Sequence, residues 1–149
     1  MKKKKFFIVV LLFVSLMSFS QKVDRLALVI GNSKYIHINS LSNPERDANL
    51  IAETLEKLDF TVVLKHNIRT RSEFRKLQYE FSDLKDSLNP SVVFVYYAGH
   101  GLEVFGENYL LPTDIIIPEK GKKERRLELI KDESFSLNDL KRKVSFNNC

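Results

Sequence analysis

Five consecutive apolar residues, Leu26-Ala27-Leu28-Val29-Ile30, stop at Gly31-Asn32. An apolar run without polar alternation, ended by turn residues, predicts a strand buried on both faces, and such strands belong to parallel sheets covered by helices. Two further runs have the same character. Phe60-Thr61-Val62-Val63-Leu64 runs out at His66-Asn67, and Val92-Val93-Phe94-Val95-Tyr96-Tyr97, the most apolar of the three, stops at Ala98-Gly99-His100-Gly101. The third run is expected to be the most buried strand.

Between the strands the apolar period changes to three and four. Asn43 is placed to cap a helix with Pro44 at its first position and Glu45 and Asp47 in its first turn, and Ala48, Ile51, Leu55 and Leu58 form its apolar stripe. Thr70 and Glu73 have capping-box spacing ahead of Phe74, Leu77, Phe81, Leu84 and Leu88, and Asn89-Pro90 closes this second helix. The order β-α-β-α-β implies parallel strands, right-handed crossovers and helices on both sheet faces. After Gly101, the pieces 102–105 and 109–111 around Gly106-Glu107-Asn108 predict a hairpin ending at Pro112. The stretch 118–126, with Lys120, Lys122, Lys123, Arg125 and Arg126, reads as a mobile solvated loop, and a further helix is expected from Ser136 with Leu137, Leu140 and Val144 inward.

Composition fits one globular domain: 149 residues, 44% hydrophobic and 29% charged. The net charge of +5 is misleading, because Lys2, Lys3, Lys4 and Lys5 sit at the N-terminus, and setting them aside leaves 20 basic residues against 19 acidic ones. A nucleic-acid footprint is therefore not expected. The four lysines precede an apolar run over 6–19 and the small-polar Ser18-Phe19-Ser20-Gln21, the layout of a secretory signal peptide. We expect residues 1–20 to be a signal peptide and 21–149 the exported domain, without stable membrane association once cleaved. The single cysteine, Cys149, gives an exported chain no internal disulfide.

Ligands of an open parallel sheet bind at the carboxyl edge of the strands. Gly31-Asn32 and Gly99-His100-Gly101 both lie there. A histidine on rigid scaffold between two glycines suits a general base, since an imidazole titrates near neutrality and the glycines leave room beside it. The Gly101 N–H, with no Cβ next to it, can approach a developing oxyanion. Other chemistries lack their signatures. There is no His-Glu-x-x-His, no dinucleotide glycine triplet and no Gly-x-Ser-x-Gly elbow, so neither metal nor cofactor is expected. Asp47 is read as a first-turn acid complementing its helix.

The segments Arg25-Leu26-Ala27-Leu28-Val29-Ile30-Gly31-Asn32, Val93-Phe94-Val95-Tyr96-Tyr97-Ala98-Gly99-His100-Gly101 and Gly106-Glu107-Asn108-Tyr109-Leu110-Leu111-Pro112-Thr113-Asp114 together resemble the caspase-like cysteine peptidases in their bacterial, metacaspase-related branch. The resemblance runs from about 25 to 144. It implies an α/β fold, a caspase-like three-layer sandwich with a mostly parallel sheet, and a cysteine endopeptidase acting on peptide or protein substrates. It further implies that His100 matches the catalytic histidine and Gly101 the oxyanion-hole glycine.

The family also places a cysteine at the end of the next parallel strand. Cys149 lies 49 residues after His100, close to the caspase spacing of about 50. The helix from Ser136 should, however, return the chain to the amino edge of the sheet, and five residues after Val144 are too few for a new strand. Cys149 is thus expected about 15 Å or more from the imidazole, and the nucleophile is expected beyond the present C-terminus, with the sheet incomplete there. The alternatives are a catalytically inactive caspase-like interaction domain, whose open sheet edge would take a strand-pairing partner, and a flavodoxin-like binding protein.

Overall fold

The computed structural model describes residues 24–145; the proposed signal peptide and Cys149 lie outside the described residues. Strand β1 (Arg25–Gly31) is the centre of a three-stranded parallel sheet, with β2 (Phe60–His66) on one side and β3 (Val92–Ala98) on the other. Arg25 aligns with Phe60 and Val92, and Gly31 with His66 and Ala98, so all three strands end level at the carboxyl edge.

Alternation along β1 divides the core. Leu26, Leu28 and Ile30 face one side, where they pack with Phe74, Leu77 and Phe81 of α2 (Arg71–Leu88) and Leu140 of α4 (Leu137–Val144). Ala27 and Val29 face the other, against Ala48, Ala52 and Leu55 of α1 (Pro44–Lys57). Each layer buries an apolar stripe the sheet cannot cover alone. The result is the three-layer α/β sandwich expected from the alternation of runs.

A second, antiparallel sheet joins β4 (Gly101–Val104), β5 (Glu107–Leu110) and the two-residue β6 (Phe135–Ser136). Phe135 stacks on Phe74 with ring centroids 5.4 Å apart and planes 5° apart, which seats this sheet on α2. Helix α4 then runs alongside α2. Ser136 caps it through the Asp139 N–H, Gln78 donates to the Asp139 carbonyl, and the buried Lys85 ammonium donates to the Lys143 and Ser145 carbonyls. A cation on the last carbonyls opposes the negative helix end. Because Lys85 lies in the last turn of α2, this contact puts Ser145 at the amino edge, opposite His100.

Several expectations need correction. The stretch 118–126 is not loop throughout: helix α3 (Lys123–Glu133) begins within it, and its one fully buried side chain, Ile130, joins Tyr35, Leu111 and Ile115 at the carboxyl edge. Strand β3 is not the most buried strand. It pairs only with β1 among the described residues and exposes Val92 and Phe94, whereas β1 is buried from Leu26 onward. Apolarity alone cannot separate an edge strand from a central one. Leu58 is the exposed cap residue of α1 rather than part of its stripe, and Ala52 takes the inward place. Asn43 caps α1 without a side-chain hydrogen bond. In the box at α2, Thr70 accepts from the Glu73 N–H as expected, but the Glu73 carboxylate accepts from Arg69.

Gly31 lets α1 pack closely against the end of β1. A Cβ there would lie 2.5 Å from the Pro44 carbonyl oxygen and 2.8 Å from the Ala48 Cβ. Both obstacles belong to the backbone or its first side-chain atom, so neither can swing away. Gly31→Ala should cost about 2 kcal/mol, within the usual range for overpacking, read as a lower urea midpoint at unchanged slope; an unchanged midpoint would show that α1 is free to shift.

Candidate active site

Three backbone segments converge on His100. The segment after β1 leaves the sheet at Asn32, whose own N–H donates to the Ala98 carbonyl. The Asn32 side chain is fully buried, accepting from the Ile68 N–H at 3.0 Å and donating to the Leu111 carbonyl at 3.2 Å. One amide thereby ties the exits of β1 and β2 to the end of the hairpin. Asn67 continues the pattern: its Oδ1 accepts from the Ser33 and Lys34 N–H groups at 2.9 Å each, and its Nδ2 donates to Glu45. This bond from Asn67, with the Lys34 ammonium nearby, holds the Glu45 carboxyl below its ordinary value.

Fixed in this way, the loop presents Tyr35 and Asn39 to His100. The His100 N–H donates to the Tyr35 hydroxyl at 2.7 Å, the Tyr97 hydroxyl donates to the His100 carbonyl at 2.8 Å, and the Tyr35 ring meets the imidazole edge-on at 4.6 Å. Gly99 makes room for this clasp, because a Cβ there would lie 2.6 Å from the Tyr97 hydroxyl and 2.8 Å from that of Tyr35. The imidazole Nε2 lies 2.8 Å from the Asn39 carbonyl oxygen. A carbonyl only accepts, so Nε2 carries the proton of the neutral ring and Nδ1 keeps the free lone pair. The basic nitrogen is thus assigned by a backbone atom.

Gly101 lies beside it in β4, opposite Leu110. The Leu111 N–H donates to the His100 carbonyl, and hydrogen-bonded and non-hydrogen-bonded pairs alternate along an antiparallel ladder. Gly101 therefore falls in a non-hydrogen-bonded pair, and its N–H points away from β5. Space is not the reason for a glycine here, since the nearest atom to a Cβ would be the Tyr109 carbonyl oxygen at 3.4 Å. His100 and Gly101 both line a cavity of about 470 Å³ reaching under α3. Asp47 is in the first turn of α1, paired with its neighbour Arg46 at 3.6 Å. Among the described residues no group of three His, Cys, Asp or Glu side chains is arranged to hold a metal ion.

Tyr35 and Asn39 carry no signal in the sequence. Tyr35 lies among the exposed Lys34, Ile36 and His37, so no apolar period marks it. Asn39 contributes a main-chain atom, which leaves no side-chain signature at all.

Burial pushes the Tyr97 hydroxyl well above the ordinary phenol value, helped by the neighbouring Tyr35, and burial raises Tyr35 as well. Tyr109 is pushed up to about 12 by burial and by Glu107. Folded-state values above the unfolded value of about 10 mean that the neutral phenols stabilise the fold below that pH and that this stability is lost as pH rises past it. Unfolding free energy measured from pH 8 to 11.5 should fall steeply above pH 10, and less steeply in Tyr97→Phe; parallel curves would exclude Tyr97 as a source.

The Caspase domain family matches residues 24–146, the whole of the sandwich and hairpin just described. The human Mucosa-associated lymphoid tissue lymphoma translocation protein 1 is 33% identical over 119 residues, which cover 77% of this chain and 14% of that protein. Its mouse homolog is 32% identical over the same share, and mouse Caspase-12 is 31% identical over 78 residues, 52% of this chain and 18% of that protein. The chain thus spans less than a fifth of each of these relatives. With the parallel sheet, the hairpin and a histidine just past the end of β3 all inside the matched region, the chain belongs to the Caspase domain family.

Proposed function

We propose that this chain carries the general-base half of a cysteine endopeptidase of the bacterial, metacaspase-related kind. The orientation of His100 is the observation that carries the reading: Nε2 is committed to the Asn39 carbonyl, and the ring stands at the mouth of a cavity. The thiol would come from a later strand of the full-length protein, beyond Cys149, laid against the edge of β3 that is unpaired among the described residues. Strand β3 ends at Ala98, two residues before His100, so a parallel neighbour would end at the same edge, as Gly31 and His66 do.

In that arrangement Nδ1 takes the thiol proton while the sulfur adds to the peptide carbonyl carbon. The carbonyl oxygen becomes an oxyanion facing the Gly101 N–H. When the carbon–nitrogen bond breaks, the imidazolium returns its proton to the leaving amine, and water then hydrolyses the thioester by the same base. The Asn39 carbonyl stabilises the imidazolium at each passage, since Nε2–H becomes a stronger donor when the ring is charged.

A second reading, a catalytically silent interaction domain, draws on the exposed Val92 and Phe94 of β3. Unpaired strand edges with apolar flanks pair readily with other chains. In the full-length protein, His100→Ala should lower peptide cleavage by about a thousandfold or more at unchanged thermal stability. Cleavage that survives the substitution would remove His100 from the mechanism, and a full-length protein that binds a β3-edge peptide yet cleaves nothing would favour the silent domain.

The proposal places the domain outside the cytoplasm, on the strength of Lys2 to Lys5 and the apolar run over 6–19. Mass analysis of the exported protein should find an N-terminus near Gln21; an intact Met1 would reject the export signal.

A further inference from the structure

The cavity beside His100 has a one-sided charge. Ile38, Leu102, Leu111, Leu127 and Ile130 make its walls apolar, and its charged lining groups are Lys123 and Arg126. No carboxylate lines it among the described residues. Both cations stand in the first turn of α3, next to Lys122 at its cap and Arg125. Positive side chains at the positive end of a helix repel it, and Lys122 and Arg126 are like charges one turn apart. Among the described residues none of Lys120, Lys122, Lys123, Arg125 and Arg126 has a carboxylate within ion-pair distance. Glu124 is the one acidic residue of that turn, against Lys123, Arg125 and Arg126.

Arg126 is only partly used by the fold itself. Its Nη1 donates to the Glu119 carbonyl at 3.1 Å and the Pro118 carbonyl at 3.5 Å, while its Nε is buried without an acceptor. A guanidinium presents five donors suited to a carboxylate. An incoming carboxylate offers the guanidinium a charged acceptor beyond the two carbonyls that Nη1 already meets, and adds negative charge to a first turn in which Glu124 is the one acid among Lys123, Arg125 and Arg126.

We propose that this cavity is a substrate subsite for an apolar side chain flanked by an acidic residue, the apolar group lying on Ile38, Leu102 and Ile130 and the carboxylate pairing with Arg126 and Lys123. The inference rests on the peptidase reading for the identity of its occupant. About 470 Å³ is ample for one large apolar side chain and its neighbour's carboxylate. Since His100 and Gly101 line the same cavity, a peptide seated there lies beside the proposed general base. Cleavage is then favoured in acidic-apolar segments, and a basic segment is rejected by charge.

The test is a fluorescence-anisotropy titration of the chain with labelled hexapeptides. One carries Phe between two Glu, a second carries Phe between two Lys, and a third carries Ser between two Glu. The first should bind about tenfold or more tighter than either other peptide, weaken as NaCl rises, and shift the His100 ring resonances in NMR. Lys123→Glu, at an exposed position, and Arg126→Gln should each weaken it by about three- to tenfold. Should Arg126→Gln unfold the loop it holds, as circular dichroism would reveal, Lys123→Glu carries the test alone. Equal affinity for the Glu and Lys peptides, unaltered affinity in the folded variants, an undisturbed His100 signal or no binding at all would each overturn the subsite. The binding result is independent of the cleavage assay: loss of His100-dependent cleavage with this binding pattern intact counts against the peptidase reading and leaves a peptide-docking site in place.

Discussion

The site depends on a single buried amide. Asn32 sits where the central strand leaves the sheet, fully buried, with its main-chain N–H and both side-chain ends engaged. Its partners are the exits of β2 and β3 and the end of the β4–β5 hairpin. An unpaired amide at such depth would be costly, so the three connections persist or fail together. Because the loop carrying Tyr35 and Asn39 starts at the next residue, the same constraint decides where the atoms around His100 can stand. Core packing builds the sandwich, and hydrogen bonding at its rim turns that sandwich into a site.

The sandwich itself was legible in the sequence because burial on both faces demands unbroken apolar runs. Leu26 through Ile30 announce the central strand, and the spacing of Phe74, Leu77 and Phe81 announces the helix over it. His100 could be placed for the same reason, since a strand that ends abruptly at glycines fixes the next residue at the carboxyl edge of the sheet. Helix α3 was hidden because it buries so little: Ile130 is its one fully enclosed side chain, and the cations of its first turn read as solvated loop. Strand order was hidden too. The exposed flank of Phe94 is as apolar as the buried flank of Leu28, and only the partner strands tell them apart.

Much of the candidate site escaped for a different reason. Tyr35 and Tyr97 clasp the His100 backbone through hydroxyls, a polar use of aromatic residues that hydrophobic pattern cannot reveal. Asn32 looked like a turn residue closing a strand and proved to be a buried connector. Gly99 looked permissive and proved restrictive, holding open the space into which two phenols reach. The partners of Asn32 and Tyr35 lie tens of positions away, while those of Tyr97 and Gly99 include near neighbours whose contact leaves no mark in the apolar pattern.

The oxygen that faces the imidazole Nε2 belongs to the peptide unit of residue 39. Every amino acid supplies that oxygen, so no ordinary replacement at position 39 can delete it. Tautomer control is thereby shielded from single-residue drift and exposed instead to changes in loop length or course between Asn32 and Leu41. Residue 39 also borders the cavity, and with only its main-chain oxygen engaged by the imidazole its side chain can change while the proton-handling nitrogen stays the same.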